Sequence, residues 1–172
     1  MVRHMLAGAA LVLGTLAACS QGGTATASAQ TPAPAAAEQA ALHPVSGLRV
    51  IDLTVDRAGK PLAFKVELAA SAEAQARGLM FRTELGDFEG MLFPSAVPEL
   101  RSFWMKNTPL SLDIIFIGAD GRVLNIAADT VPYSLESVRS TGPASAVLEL
   151  RAGRAKALGI VPGDKVNYTL PR

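Results

Sequence analysis

From Leu48 onward, apolar and polar residues alternate in short runs separated by turn residues. Val50 to Val55 reads as a strand, Arg57-Ala58-Gly59-Lys60 as a turn, and Leu62, Phe64, Val66 and Leu68 then share one strand face. Ser71 suits the N-cap of a short helix through Arg77, with Glu73 in the first turn and Gly78 at its end. Gly90 to Phe93 and Arg101 to Asn107 read as two further strands. Leu112–Ile117 and Arg122–Ala127 form the clearest hairpin, because Asp120-Gly121 supplies a tight turn requiring positive φ. Asp129 to Pro143 is the longest loop. Ala146–Leu150 reads as a strand, Gly153–Leu158 as a short helix stopped by Gly159, and Lys165–Leu170 as a final strand after Pro162-Gly163-Asp164. Many short strands with two short helices predict a mainly β (α+β) domain, a compact β-sandwich or barrel-like unit over 48–172.

The pattern upstream of Leu48 is different. Arg3 and His4 precede an apolar stretch from Met5 to Ala18, too short for a permanent membrane span. It ends in Leu16-Ala17-Ala18-Cys19, which matches a bacterial lipobox. Residues 1–18 are therefore expected to be a lipoprotein signal peptide, with Cys19 lipidated and serving as the membrane anchor. Residues 19–47 are rich in Ala, Thr, Gln and Pro and nearly free of branched or aromatic residues. Such a segment cannot bury enough apolar surface to offset its ordering entropy, and as a flexible coil it spans on the order of 30 Å. Ser20 is not the aspartate that resembles an inner-membrane retention signal. The expected location is the inner leaflet of the outer membrane, facing the periplasm.

Composition removes several function classes. Lys plus Arg number 16 against 15 Asp plus Glu. The expected cleavage removes Arg3 and leaves a formally neutral chain, which argues against nucleic acid as a partner. Cys19 is the only cysteine, so the domain has no disulfide and relies on its core. His4 leaves with the signal and His43 falls in the tether, which excludes histidine-based triads and zinc sites from the predicted domain.

Several ordered segments carry a family resemblance. They include Ala76-Arg77-Gly78-Leu79-Met80-Phe81-Arg82, Glu89-Gly90-Met91-Leu92-Phe93 and Ser102-Phe103-Trp104-Met105-Lys106-Asn107-Thr108. Leu112 to Ile117, Val147-Leu148-Glu149-Leu150 and the Gly159–Val166 ending follow in order. Together they resemble the family of domain of unknown function 192, from about Ile51 to Leu170. The resemblance implies a compact β-rich fold, often behind a signal sequence, and no assigned activity.

Three chemistries are open within these segments. In a strand over 101–107, Phe103 and Met105 face the core while Trp104 and Lys106 share an accessible face. With Asn107, and with Arg77 and Arg82 nearby, they would form a platform for an anionic or glycan-like small molecule. The plainer alternative is that Trp104 packs in a second core and the arginines form ion pairs. Asp113 and Glu89 are the alternative catalytic pair, for acid–base chemistry on cell-wall glycans, while structural bonding to turn amides is the other fate of Asp113. Met80, Met91 and Met105 are soft thioethers of the kind that select Cu(I), or else fillers of core gaps. The leading expectation is an envelope-tethered binding domain without a cofactor. An assembly role through an unidentified protein partner is the third reading.

Overall fold

The computed structural model describes residues 41–171. The expected signal peptide, the lipidated Cys19 and most of the tether lie outside the described residues. The described chain is mainly β, with two short helices, as its patterning predicts. Its strands are β1 (Val50–Arg57), β2 (Lys60–Leu68), β3 (Glu89–Glu99), β4 (Ser102–Phe103), β5 (Leu112–Gly118), β6 (Val123–Ala127), β7 (Val138–Arg139), β8 (Ala144–Arg151) and β9 (Lys165–Tyr168). The helices are α1 (Ala72–Arg77) and α2 (Arg154–Leu158).

Seven strands form one mixed sheet in the order β6-β5-β8-β3-β2-β1-β9, and β4 pairs with β7 in a small separate sheet. The β2–β3 pair is parallel, so the chain must cross over between them, and α1 lies in that crossover. All other strand pairs among the described residues are antiparallel. The large sheet does not close into a barrel. Its two edges nonetheless meet near one isolated bridge, Arg122 with Lys165. There Val123 N donates to Asp164 O at 3.0 Å and Val166 N to Gly121 O at 2.8 Å. Further along β6, the Asn125 side chain donates to Arg139 O at 3.0 Å and accepts from Thr141 N at 2.9 Å.

Alternation gives each sheet face its own core. One face buries Leu53, Val55, Phe64, Val66, Ile115 and Leu148 beneath Ala155 of α2. The other buries Met91, Phe93, Leu112, Ile114, Phe116 and Val147 beneath Leu79, Leu85 and Met105. Phe64, Phe93 and Phe116 are completely enclosed, and such burial contributes about 2–3 kcal/mol per ring.

Local signals are realised closely at several points. Ser71 Oγ accepts from Ala74 N at 3.1 Å and caps α1. Gly121 has φ +73° in the β5–β6 turn. Two expectations need correction. The strand expected over 101–107 shrinks to Ser102–Phe103, because Thr108 N bonds back to Met105 O and Asn107 takes φ +55°. Pairing also begins before Leu48, inside the expected tether. Leu42 bridges Arg49, and Val50 N donates to Ala41 O at 2.7 Å.

Candidate functional site

The second core is incompletely covered. Beside α1 and β4 it opens into a cleft of about 340 Å³. Leu79, Met80, Phe93, Phe103 and Met105 supply apolar wall, and Trp104, Arg77 and Arg101 also line it. Met105 is buried and Trp104 is about half exposed, so the expected in-and-out alternation survives the shortening of the strand. Lys106 lies over the Trp104 ring, with Nζ 5.2 Å from the centroid. This pair forms a cation–aromatic surface.

Strained backbone adjoins the lining residues Met80 and Thr108. Phe81, Asn107 and Tyr133 have φ of +63°, +55° and +62°. Phe81 N donates to Asn107 O at 2.8 Å, and Tyr133 N to Thr108 O at 3.1 Å. Hydrogen bonds thus hold three residues without glycine's freedom in the left-handed region, a cost of order 1–3 kcal/mol each. Asn107 also directs Nδ2 to Met80 Sδ at 3.8 Å, which ties it to the segment after α1.

Glu149 is the cleft residue that the sequence reading passes over. It lies on β8 between Leu148 and Leu150, which face the opposite core. Its neighbours across the sheet are Met91 and Ile114. The residue is 5% exposed and lines the cleft, and its side chain has no hydrogen-bond partner among the described residues. Burial pushes its carboxyl up to about 8. The signal was present in the sequence: a lone carboxylate inside the apolar run Ala146 to Leu150.

Other candidate residues have different fates. Arg82 does not join Arg77 and Lys106; its Nη1 donates to the buried Glu67 Oε1 at 2.6 Å. His43 Nε2 lies 3.6 Å from the same oxygen and 3.4 Å from Arg82 Nη2. Glu67 sits beside Met91 on the sheet face that carries Glu149, so Met91 separates the two buried acids. Asp113 accepts from Asp129 N at 3.0 Å, Gly153 N at 3.2 Å and Ala155 N at 2.8 Å. It fastens the start of α2 in the absence of a capping side chain at Gly153. Glu89 is exposed and accepts from Gly86 N at 2.9 Å. The two carboxylates of the alternative catalytic pair thus bind separate sets of backbone amides.

The methionines divide similarly. Met80 and Met105 line the cleft, and Thr130 Oγ1 donates to Met105 Sδ at 3.2 Å. Met91 is in the core. Among the described residues no group of His, Cys, Asp and Glu side chains is arranged to hold a metal. Two wider depressions, of about 1010 and 550 Å³, border residues 41–45, but no buried polar side chain lines either.

The cleft is composed almost wholly of the segments that carried the family resemblance. The family model of domain of unknown function 192, described as an uncharacterized ACR, matches residues 53–168. The chain belongs to this family. A domain of unknown function 192 therefore runs from within β1 to the end of β9, cleft included. A protein of unknown function from Novosphingobium aromaticivorans is 52% identical, with 76% of this chain and 94% of that one covered and a TM-score of 0.73. A Sinorhizobium meliloti protein, whose name proposes a transcription regulator, is 35% identical over 70% of this chain and 95% of that one, with a TM-score of 0.68. No curated protein matches the chain.

Proposed function

We propose that this domain of unknown function 192 is a non-catalytic binding module, held at the cell envelope through lipidated Cys19, that takes a small anionic molecule into the cleft beside α1. The observation that carries this reading is an apolar cleft lined by half-exposed Trp104 and by Arg77, with Lys106 stacked on the Trp104 ring and the left-handed residues Phe81 and Asn107 bonded to one another next to the lining residues Met80 and Thr108. Strained backbone held by its own hydrogen bonds next to the lining residues is pre-organised, which lowers the ordering cost of binding. Exposed Arg77 and Lys106 supply the positive charge that an anionic group requires.

Hydrolysis by Asp113 and Glu89 has less support, since both carboxylates already accept from main-chain amides. The regulator name of the Sinorhizobium relative also finds little support here. The helices among the described residues, of six and five residues, are too short for a recognition helix, and the charge balance lacks a basic excess.

The test is ligand retention from an envelope extract by purified protein, with bound molecules read by mass spectrometry. Trp104→Ala and Lys106→Ala are each expected to lose retention while their circular dichroism stays unchanged. Folded variants that retain everything would remove the cleft from consideration. Cys19→Ser should move the protein from the membrane fraction to the soluble periplasmic fraction.

A further inference from the structure

The floor of the cleft carries chemistry that its rim does not. We propose that Glu149 is the inner recognition group of the cleft, exchanging hydrogen bonds with a neutral hydroxyl or amide at the buried end of the ligand. This inference rests on the cleft-binding reading and specifies which molecules that cleft accepts.

The argument begins with an unmet polar group. A buried carboxyl without a partner is costly, and native proteins seldom retain one without a use. Glu149 is 95% buried by its 5% exposure, faces the cleft and has no partner among the described residues. Its flanking neighbours on the sheet, Met91 and Ile114, are apolar and cannot satisfy it.

The surrounding charges decide which protonation state meets the ligand. Arg77 and Arg101 face the cleft, and the Glu67–Arg82 pair lies beyond Met91. Arg101 is engaged by Ser95, Glu99 and Gln75 and lies over the Phe103 ring at 5.4 Å. Arg82 is engaged by Glu67. None of these cations bonds Glu149, and its ordinary value rises through burial alone. At neutral pH the side chain therefore carries its proton. A carboxylic acid offers one donor and one acceptor, which a hydroxyl or amide satisfies on both counts. An ammonium would instead require an ionised carboxylate within an apolar wall, reached past Arg77 and Arg101.

Three para-substituted benzoates separate these cases: 4-methylbenzoate, 4-(hydroxymethyl)benzoate and 4-(aminomethyl)benzoate. Each carries an anionic end for Arg77 and Lys106 and differs only at the inner end. Trp104 is the chain's single tryptophan, so its fluorescence reports binding at the rim directly. The hydroxymethyl probe is expected to bind roughly fivefold to tenfold tighter than the methyl probe, the scale of one buried hydrogen bond. The aminomethyl probe should bind no tighter than the methyl probe. Glu149→Gln keeps a donor and an acceptor and should retain the hydroxymethyl preference, whereas Glu149→Leu should erase it. In unmodified protein the preference should decline between pH 7 and pH 9, and in Glu149→Gln it should not. Equal binding of all three probes, or an aminomethyl preference that Glu149→Gln abolishes, overturns the inference and leaves the cleft as a binding site. Failure of every probe to change Trp104 emission overturns both.

Discussion

Replacing Glu149 with glutamine should make the fold more stable at alkaline pH, and the size of the gain follows from the structure. The side chain is 5% exposed at the cleft floor, and burial raises its carboxyl from 4.5 to about 8. Below pH 4.5 both folded and unfolded chains carry the proton, so the group has no pH-dependent effect. Between 4.5 and 8 the unfolded chain releases the proton and the folded chain keeps it. Stability then falls by about 1.4 kcal/mol per pH unit and levels off above the folded value. Over the whole interval the loss is about 5 kcal/mol, an upper scale because local opening lets water reach the group. Glutamine keeps the shape and removes the titration. Urea unfolding at pH 5, 7 and 9 measures this through Trp104 emission and circular dichroism. The difference between the two proteins isolates Glu149 from other titrating groups. It should widen by several kcal/mol from pH 5 to pH 9 in favour of the glutamine variant. Parallel stability curves would refute the claim that an unpaired acid lies beneath the cleft.

Three further outcomes follow from other parts of the fold. Asp113→Ala leaves buried amides at the start of α2 without an acceptor and should cost about 3–5 kcal/mol in urea unfolding, most of it absent from a variant outside the α2 junction such as Ser71→Ala. Arg82→Ala strands the 3%-exposed Glu67 and should cost about 3–5 kcal/mol, whereas Arg82→Met with Glu67→Leu should recover most of it in thermal melts. Gly90→Ala places a Cβ 2.5 Å from the Glu149 carbonyl and 2.9 Å from Leu150 Cδ2, so β3 must separate from β8. Its melting temperature should fall by several degrees, and an unchanged value would contradict the strand register.

The legible parts of this chain were those governed by neighbours in sequence. Period-two alternation located most strands, Asp120-Gly121 located a turn, and Ser71 located a helix start. Segments governed by distant partners were not legible. The parallel β2–β3 pairing depends on a crossover that no local pattern announces. The strand expected through Asn107 ends early because Phe81, 26 positions upstream, donates to the Asn107 carbonyl and helps fix its left-handed backbone. Arg82 could not be assigned to Glu67 from spacing, since four other acids lay as near in the sequence. The Trp104–Lys106 contact was legible because both residues fall on one side of a single short segment. Glu149 was hidden by its surroundings: a strand that looked like pure core also forms the cleft floor.

The meeting of the sheet's two edges near Arg122 and Lys165 bears on how copies of this protein behave beside one another. Strand edges with free amides recruit further strands, and crowding raises the rate of such encounters. Here main-chain bonds from Val123 and Val166 occupy one stretch of that border, and the Asn125 amide ties down the loop beside another. Molecules packed side by side would find little free backbone along that stretch to zip onto.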